Sequence, residues 1–190
     1  YSGPGWTRLG NDDVSWEVGH KLDLGFDLQL FNSLNITFDW FRERRSNIFQ
    51  QKLSIPNYLG TAETAIYGNL AEVVNHGVDI AVNYNKVINK DWAIQFQGTL
   101  TWNNNWITVY DEAPGKREAM KWLGKNVKTV WGYQADGLFI DYADIANGPT
   151  STLGNIAIAP GDIKYVDQPD ADGKYDGKIT RDDQIPMGVT

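Results

Sequence analysis

The sequence predicts an all-β fold, and more narrowly a segment of a large antiparallel β-barrel that spans a membrane. Three observations support this prediction. Apolar and polar residues alternate strictly, and the alternating segments are unusually long. The segments that connect them are short and long in alternation. Alternation with a period of two places successive side chains on opposite faces of a strand. One sheet is therefore expected to carry an apolar face and a polar face.

The first predicted strand, residues 14–30, shows the pattern most clearly. Eight of its nine even-numbered residues are apolar, and none of its odd-numbered residues is. Most strands of globular proteins have about 3–10 residues. These seventeen residues, at about 3.3 Å each and tilted by roughly 40°, would rise on the order of 43 Å. That length suits an outer-membrane barrel, whose apolar band is about 25 Å tall.

Three further segments alternate in the same way and predict strands at about 34–48, 76–86 and 91–109. The strands form two hairpins with short internal links. The longer segments, about 49–75 and 110–185, are predicted as extracellular loops. Short periplasmic turns and long extracellular loops are typical of bacterial outer-membrane barrels.

Aromatic residues lie near the ends of the predicted strands, where their rings suit the headgroup layers of a membrane. His20 is the polar exception on the apolar face of the first strand, and it is expected in the same interfacial zone. The aromatic residues on the long-loop side are Trp16, Trp40, Phe41 and Trp102, and those on the short-turn side are Phe31 and Trp92.

Composition and length limit the partners, metal sites and folds that are possible for this chain. The net charge of -7 and the absence of long basic runs argue against nucleic acid or an anionic membrane surface as the main partner. The sequence contains no cysteine, which excludes disulfides and thiolate metal sites. Four strands cannot close a membrane barrel, which needs about eight, so residues 1–190 are expected to be one part of a longer barrel. A soluble β-sandwich with one solvated face remains the alternative fold.

Four short motifs, in this order, carry a family resemblance: DWFRERRSNI at 39–48, VNHGVD at 74–79, WGYQADGLF at 131–139 and PGDIKYVD at 160–167. Together they resemble the SusC/RagA family of TonB-dependent outer-membrane transporters. The resemblance covers nearly the whole chain and places it before the last few strands of the barrel.

The resemblance implies a 22-stranded barrel with an N-terminal plug, in the outer membrane of a Gram-negative bacterium. It implies import of a glycan oligosaccharide or a peptide, driven by the TonB complex through regions outside this segment. A SusD-like surface lipoprotein would cover the extracellular mouth. The resemblance implies no catalysis and no required cofactor. A TonB-dependent receptor of another family, for example for siderophores, is a related alternative.

The aspartate-rich stretch 166–183 allows two interpretations. An EF-hand frame that starts at Asp172 places Lys174 where an oxygen ligand is required, and no amphipathic helices flank the loop. Aspartate and glycine alone make tight, solvated turns. The other interpretation is a structural Ca²⁺, held together with the Lys178 carbonyl by the four carboxylates of Asp170, Asp172, Asp176 and Asp183.

Two further functions are alternatives to nutrient import. Glu17, Asp23, Asp27 and Asp39 supply carboxylates of the type that hydrolases use in pairs. They alternate along one strand face, which favours a hydrated barrel lumen instead. A soluble, secreted β-rich binding module with a calcium-stabilised acidic loop is the alternative from another functional class.

Overall fold

The computed structural model describes residues 10–55, 66–154 and 157–189. The chain divides into two compact units, one made of 1–52 with 56–111 and the other of 53–55 with 112–190. Among the described residues, none of the helices has the length and apolar character needed to cross a membrane.

The first unit is a four-stranded antiparallel sheet whose strands lie in chain order. They are β1 (Val18–Leu30), β2 (Leu34–Gln51), β3 (Tyr67–Val87) and β4 (Ala93–Val109). All four predicted strands are present and pair in the predicted hairpins, although β1 has 13 residues and begins at Val18 instead of residue 14.

Tight turns join the strands at one end of this sheet. Phe31 and Asn32 both have positive φ angles, 54° and 51°, and Ser33 N donates to Leu30 O at 3.1 Å. This is the primed turn that matches the twist of paired strands. In the other turn, the Asn89 side chain accepts hydrogen bonds from the backbone of Asp91 and Trp92.

The boundary of the predicted loop 49–75 is wrong. β2 continues to Gln51 and β3 already begins at Tyr67, whereas the sequence pattern placed its start near 76. The pairing is irregular between Arg45 and Ile48 and again between Glu72 and Val73. Such bulges interrupt the period of two on which the prediction depends.

The two faces of the sheet differ as predicted. Leu24, Trp40, Val78 and Trp102 lie opposite one another across the four strands. Leu24 is 59% exposed and Trp102 is 52% exposed, so this apolar face is uncovered. The opposite face is polar, with Asp39 paired with Asp79 across β2 and β3.

The second unit is built from short elements. β5 (Thr129–Gly132) pairs antiparallel with β10 (Ile185–Val189), and β6 (Ala135–Leu138) pairs antiparallel with β8 (Ile163–Tyr165). Phe139 and Ile179 are its buried apolar residues among those described. The remaining elements are α1 (Tyr142–Asn147), the parallel pair β7 (Thr150–Ser151) and β9 (Lys178–Ile179), and the 3₁₀ turns Glu118–Met120 and Arg181–Asp183.

Candidate functional site

The polar face of the sheet carries the carboxylates singled out in the sequence, and each of them has a different neighbour. Glu17 lies 3.1 Å from Arg45, and Asp27 accepts a hydrogen bond from Thr37 at 2.6 Å. Asp23 lies opposite Phe41 in the strand register. These carboxylates are distributed along a strand face, as expected for a hydrated wall.

Ion pairs connect β1 and β2 on this polar face. Glu43 is 3.0 Å from Arg45 and 3.9 Å from Lys21. Exposed pairs of this kind stabilise a fold only slightly, by about 0–1 kcal/mol each. Their main effect is to hold the long side chains against the polar face of the sheet. This face therefore exposes both acidic and basic groups to water.

Gly77, within the VNHGVD motif, permits close packing on the polar face. A Cβ atom at this position would lie 2.4 Å from the Trp102 carbonyl oxygen and 2.6 Å from the Phe41 ring. The Phe41 ring therefore occupies space that any other residue at 77 would need. This contact links the DWFRERRSNI and VNHGVD motifs.

Gly77→Ala is expected to destabilise the barrel by about 1–3 kcal/mol, the usual cost of forcing an extra methyl group into a packed site. Urea unfolding of the full barrel in lipid vesicles would measure this change. Gly19→Ala is the control, because among the described residues its new Cβ would meet only Glu43 Oε1, at 3.5 Å. Equal unfolding midpoints for the two variants would contradict the packing argument.

The acidic loop places its predicted calcium ligands against backbone N–H groups. Asp170 Oδ1 accepts from the backbone of Asp172 and Lys174, both at 2.8 Å, and Asp176 Oδ1 accepts from Lys178 N at 2.8 Å. Across the part of the chain that the structure describes, no three His, Cys, Asp or Glu side chains are grouped so that they could hold a metal ion. The calcium site stays a prediction.

Asp183 has a structural role that the sequence analysis missed. It is 4% exposed, and its carboxylate accepts from Gln168 N at 2.8 Å and from Thr180 N at 2.6 Å. Thr180 and Asp183 form a capping box around the turn 181–183. The Thr-x-x-Asp spacing is a recognisable form of this motif, so a signal was present.

Asp167 lies next to this capping box and was not among the predicted ligands. Its Oδ2 accepts from Gly177 N at 2.9 Å, and its Oδ1 is buried without a partner among the described residues. Burial raises the pKa of the Asp167 carboxyl, and the nearby carboxylates of Asp183 and Asp176 raise it further. The interior of the loop is thus crowded with acidic groups.

Arg117 connects distant parts of the second unit. Its guanidinium donates to Gln168 Oε1 at 3.0 Å and to the carbonyl oxygens of Asp182 and Gln184 at 3.0 and 2.7 Å. The bonds join the segment after β4 to both ends of the turn 181–183. Arginine suits this role because its donors have a fixed fork geometry.

Cavities lie within the second unit. One of about 490 Å³ is lined by side chains of both charges, among them Lys116, Lys174 and Asp182. Another, of about 440 Å³, is largely apolar and includes Phe139 and Tyr165. Their size is that of small-ligand pockets.

Lys164 joins β8 to α1 beside the apolar cavity. Its Nζ donates to Asp144 Oδ1 at 2.8 Å and lies 5.7 Å from the centre of the Phe139 ring. The hydrogen bond lowers the pKa of Asp144 and raises the pKa of Lys164. The pair therefore favours the charged form of both groups.

This pair predicts a pH window for the stability of α1. The lowered pKa of Asp144 gives a contribution that is present above about pH 3.9 and lost as the pH falls through the lower folded value. The raised pKa of Lys164 gives a contribution that is present below about pH 10.4 and lost as the pH rises through the folded value. Lys164→Gln should therefore speed amide hydrogen exchange in α1 at neutral pH and have little effect near pH 2. An undiminished effect at pH 2 would exclude the ion pair as its cause.

Comparison with known proteins agrees with this geometry. The family model described as TonB dependent receptor-like, beta-barrel matches residues 1–184. The chain belongs to this family. It is also 25% identical over 146 residues to TonB-dependent receptor P3 of Formosa agariphila, an alignment that covers 70% of this chain and 14% of the relative.

Two solved structures share the fold. One is described as the RagAB peptide transporter, with a TM-score of 0.62 and 19% identity, and the other as the RagAB peptide importer in a closed-closed state, with 0.58 and 18%. Each comparison covers 94% of this chain and 18% of the other. The predicted family resemblance and the all-β barrel segment are confirmed. Members of this receptor family are outer-membrane transporters and not enzymes.

Proposed function

We propose that the protein containing this chain imports a nutrient oligomer, a glycan oligosaccharide or a peptide, across the outer membrane in a TonB-dependent manner. The observation that carries the proposal is the two-faced sheet, with strands of 13 to 21 residues, in a chain of the TonB-dependent receptor family. The apolar face contacts lipid and the polar face lines the barrel interior.

The lengths of the links between strands support the proposed orientation of the barrel. The tight turns 31–33 and 88–92 lie at the periplasmic end, and the second unit lies outside the cell. Outer-membrane barrels have this asymmetry generally. The cavities of the second unit are then exposed to the medium, where they can contact a substrate or a partner.

The partners proposed are a SusD-like surface lipoprotein and the TonB complex, the latter through parts of the protein outside this segment. The motif resemblance supports the lipoprotein, and so does the fold shared with a structure described as a RagAB peptide transporter. This chain spans 14% of the curated relative and 18% of the RagAB chains, so the proposed partners are those of the whole protein and not of this segment alone.

Uptake by intact cells tests the proposal. Cells that express the full-length protein would be given fluorescently labelled oligopeptides or oligosaccharides of matched size, with and without a functional TonB complex. We expect accumulation of one substrate class, lost when either the receptor gene or the TonB complex is removed. Accumulation that persists without the TonB complex would contradict active import.

A further inference from the structure

The apolar face of the sheet ends in a row of polar and cationic residues. Two residues beyond Trp40 in β2, on the same face and further from the tight turns, is Arg42. It lies between Leu22 of β1 and His76 of β3. The following row carries His20 and Arg44 opposite each other. Cations therefore begin where the rows cease to be wholly apolar.

The side chains establish that Arg42 faces outward. Its neighbour Glu43 is paired with Lys21 and Arg45 on the polar face, and successive residues of a strand alternate. His76, directly opposite Arg42, contacts the rings of Trp102 and Trp106, with centroids 5.5 and 4.9 Å away. Arg42 therefore shares the face of the exposed tryptophans.

Arg42 and Arg44 differ in their partners. Arg44 donates two hydrogen bonds to Glu72, at 2.8 and 2.7 Å, and Glu72 also accepts from Thr108. Arg42 is exposed, and within residues 10–55, 66–154 and 157–189 its guanidinium has neither a hydrogen bond nor an ion pair. The charge of Arg44 is thus compensated within the protein and that of Arg42 is not.

The backbone of Arg42 lies about 5 Å inside the outer edge of an apolar band about 25 Å tall, a gap that an arginine side chain can span to reach the interface. It lies eight residues past Leu34 at the short-turn end, roughly 26 Å along the strand and about 20 Å along the membrane normal at the usual tilt. An arginine on the lipid face is costly at the bilayer midplane and tolerated near the headgroups. Aromatic rings mark the same boundary.

We propose that Arg42, beside His76, binds a phosphate group of a lipid headgroup in the outer leaflet. Guanidinium binds phosphate through paired, charge-assisted hydrogen bonds, and the site lies directly above the lipid-facing rows. Basic pockets of other membrane proteins bind anionic lipid headgroups. The negative charge of the whole chain opposes general attraction to anionic surfaces, so this is a local contact. The inference rests on the proposed orientation of the barrel.

The test uses the full-length receptor in nanodiscs of phosphatidylcholine that contain a small fraction of lipid A, a glycolipid with two phosphate groups. After transfer to detergent, native mass spectrometry counts the lipid A retained per barrel. Arg42→Gln should lower retention about tenfold, the effect expected from losing one charge-assisted hydrogen bond. Arg42→Lys should retain an intermediate amount.

Lys21→Gln is the matched control, since Lys21 is a cation at nearly the same height on the opposite face. Equal loss in the Lys21 and Arg42 variants, or no loss in either, would overturn the proposal. If Arg42→Gln does not fold, the test can be made with the wild-type barrel, by comparing its retention of intact lipid A with its retention of lipid A from which the phosphates have been removed. Equal retention of the two lipids would also overturn the proposal. Surface labelling of the second unit in whole cells tests the orientation separately.

Discussion

Leu24→Arg, near the middle of β1 on the lipid face, is expected to impair insertion of the barrel by up to about 2–4 kcal/mol, the cost that a cation reaches at the bilayer midplane. Leu24 lies opposite Trp40 in the register and is 59% exposed on the apolar face. Lipid would surround the new guanidinium there, and its cross-strand neighbour Trp40 carries no charge. Urea titration of the full barrel in phosphatidylcholine vesicles would measure the change.

Asp23→Arg is the matched control, because the same cation is placed one residue away on the opposite face. Asp23 belongs to the wall that carries Lys21 and Glu43, where charges are hydrated and paired. Normal insertion is expected for this variant. Equal tolerance of arginine at positions 23 and 24 would mean that neither face contacts lipid.

Asp183→Ala is expected to lower the free energy of local unfolding of the acidic loop by about 3 kcal/mol. The substitution leaves Gln168 N and Thr180 N without an acceptor, and each unsatisfied buried donor costs about 1–3 kcal/mol. Amide hydrogen exchange of residues 166–185 in the full receptor would report the change. Asp182→Ala, at an exposed neighbour, should leave exchange nearly unaltered.

The same measurement separates the capping role of Asp183 from the predicted calcium site. If backbone capping alone orders the loop, exchange in the wild-type protein is the same with Ca²⁺ and with a chelator. If the four aspartates hold a calcium ion, added Ca²⁺ slows exchange in the wild type. Asp176→Ala then abolishes this slowing, although Asp176 caps only Lys178 N among the described hydrogen bonds.

The strands could be predicted from the sequence where every residue is subject to the same constraint, namely that its side chain faces one of two different environments. In β1 and β2 each side chain faces either lipid or water, so the alternation survives as a pattern that can be read directly. The first half of β3 was missed because bulges near Ile48 and Glu72 break the period. The strand continues through these irregularities because its backbone pairs with β2 as far as Tyr67 and with β4 from Glu72 onward.

The second unit could not be predicted in this way. β5 and β10 pair although more than fifty residues separate them, and β7 and β9 have two residues each. Arg117 acts through carbonyl groups whose position depends on the finished fold. The spacing around Asp183 is visible in the sequence, but the sequence alone left these aspartates open between a calcium site and solvated turns.

The chain-order sheet has a consequence for the biogenesis of the protein. Within the described residues, β1 and β4 each pair on one side only, and the apolar rows between them are bare. A free strand edge beside a hydrophobic surface is a template for pairing with other chains. Until its neighbours close the ring, this segment is an aggregation hazard, so we expect it to need a chaperone while it crosses the periplasm.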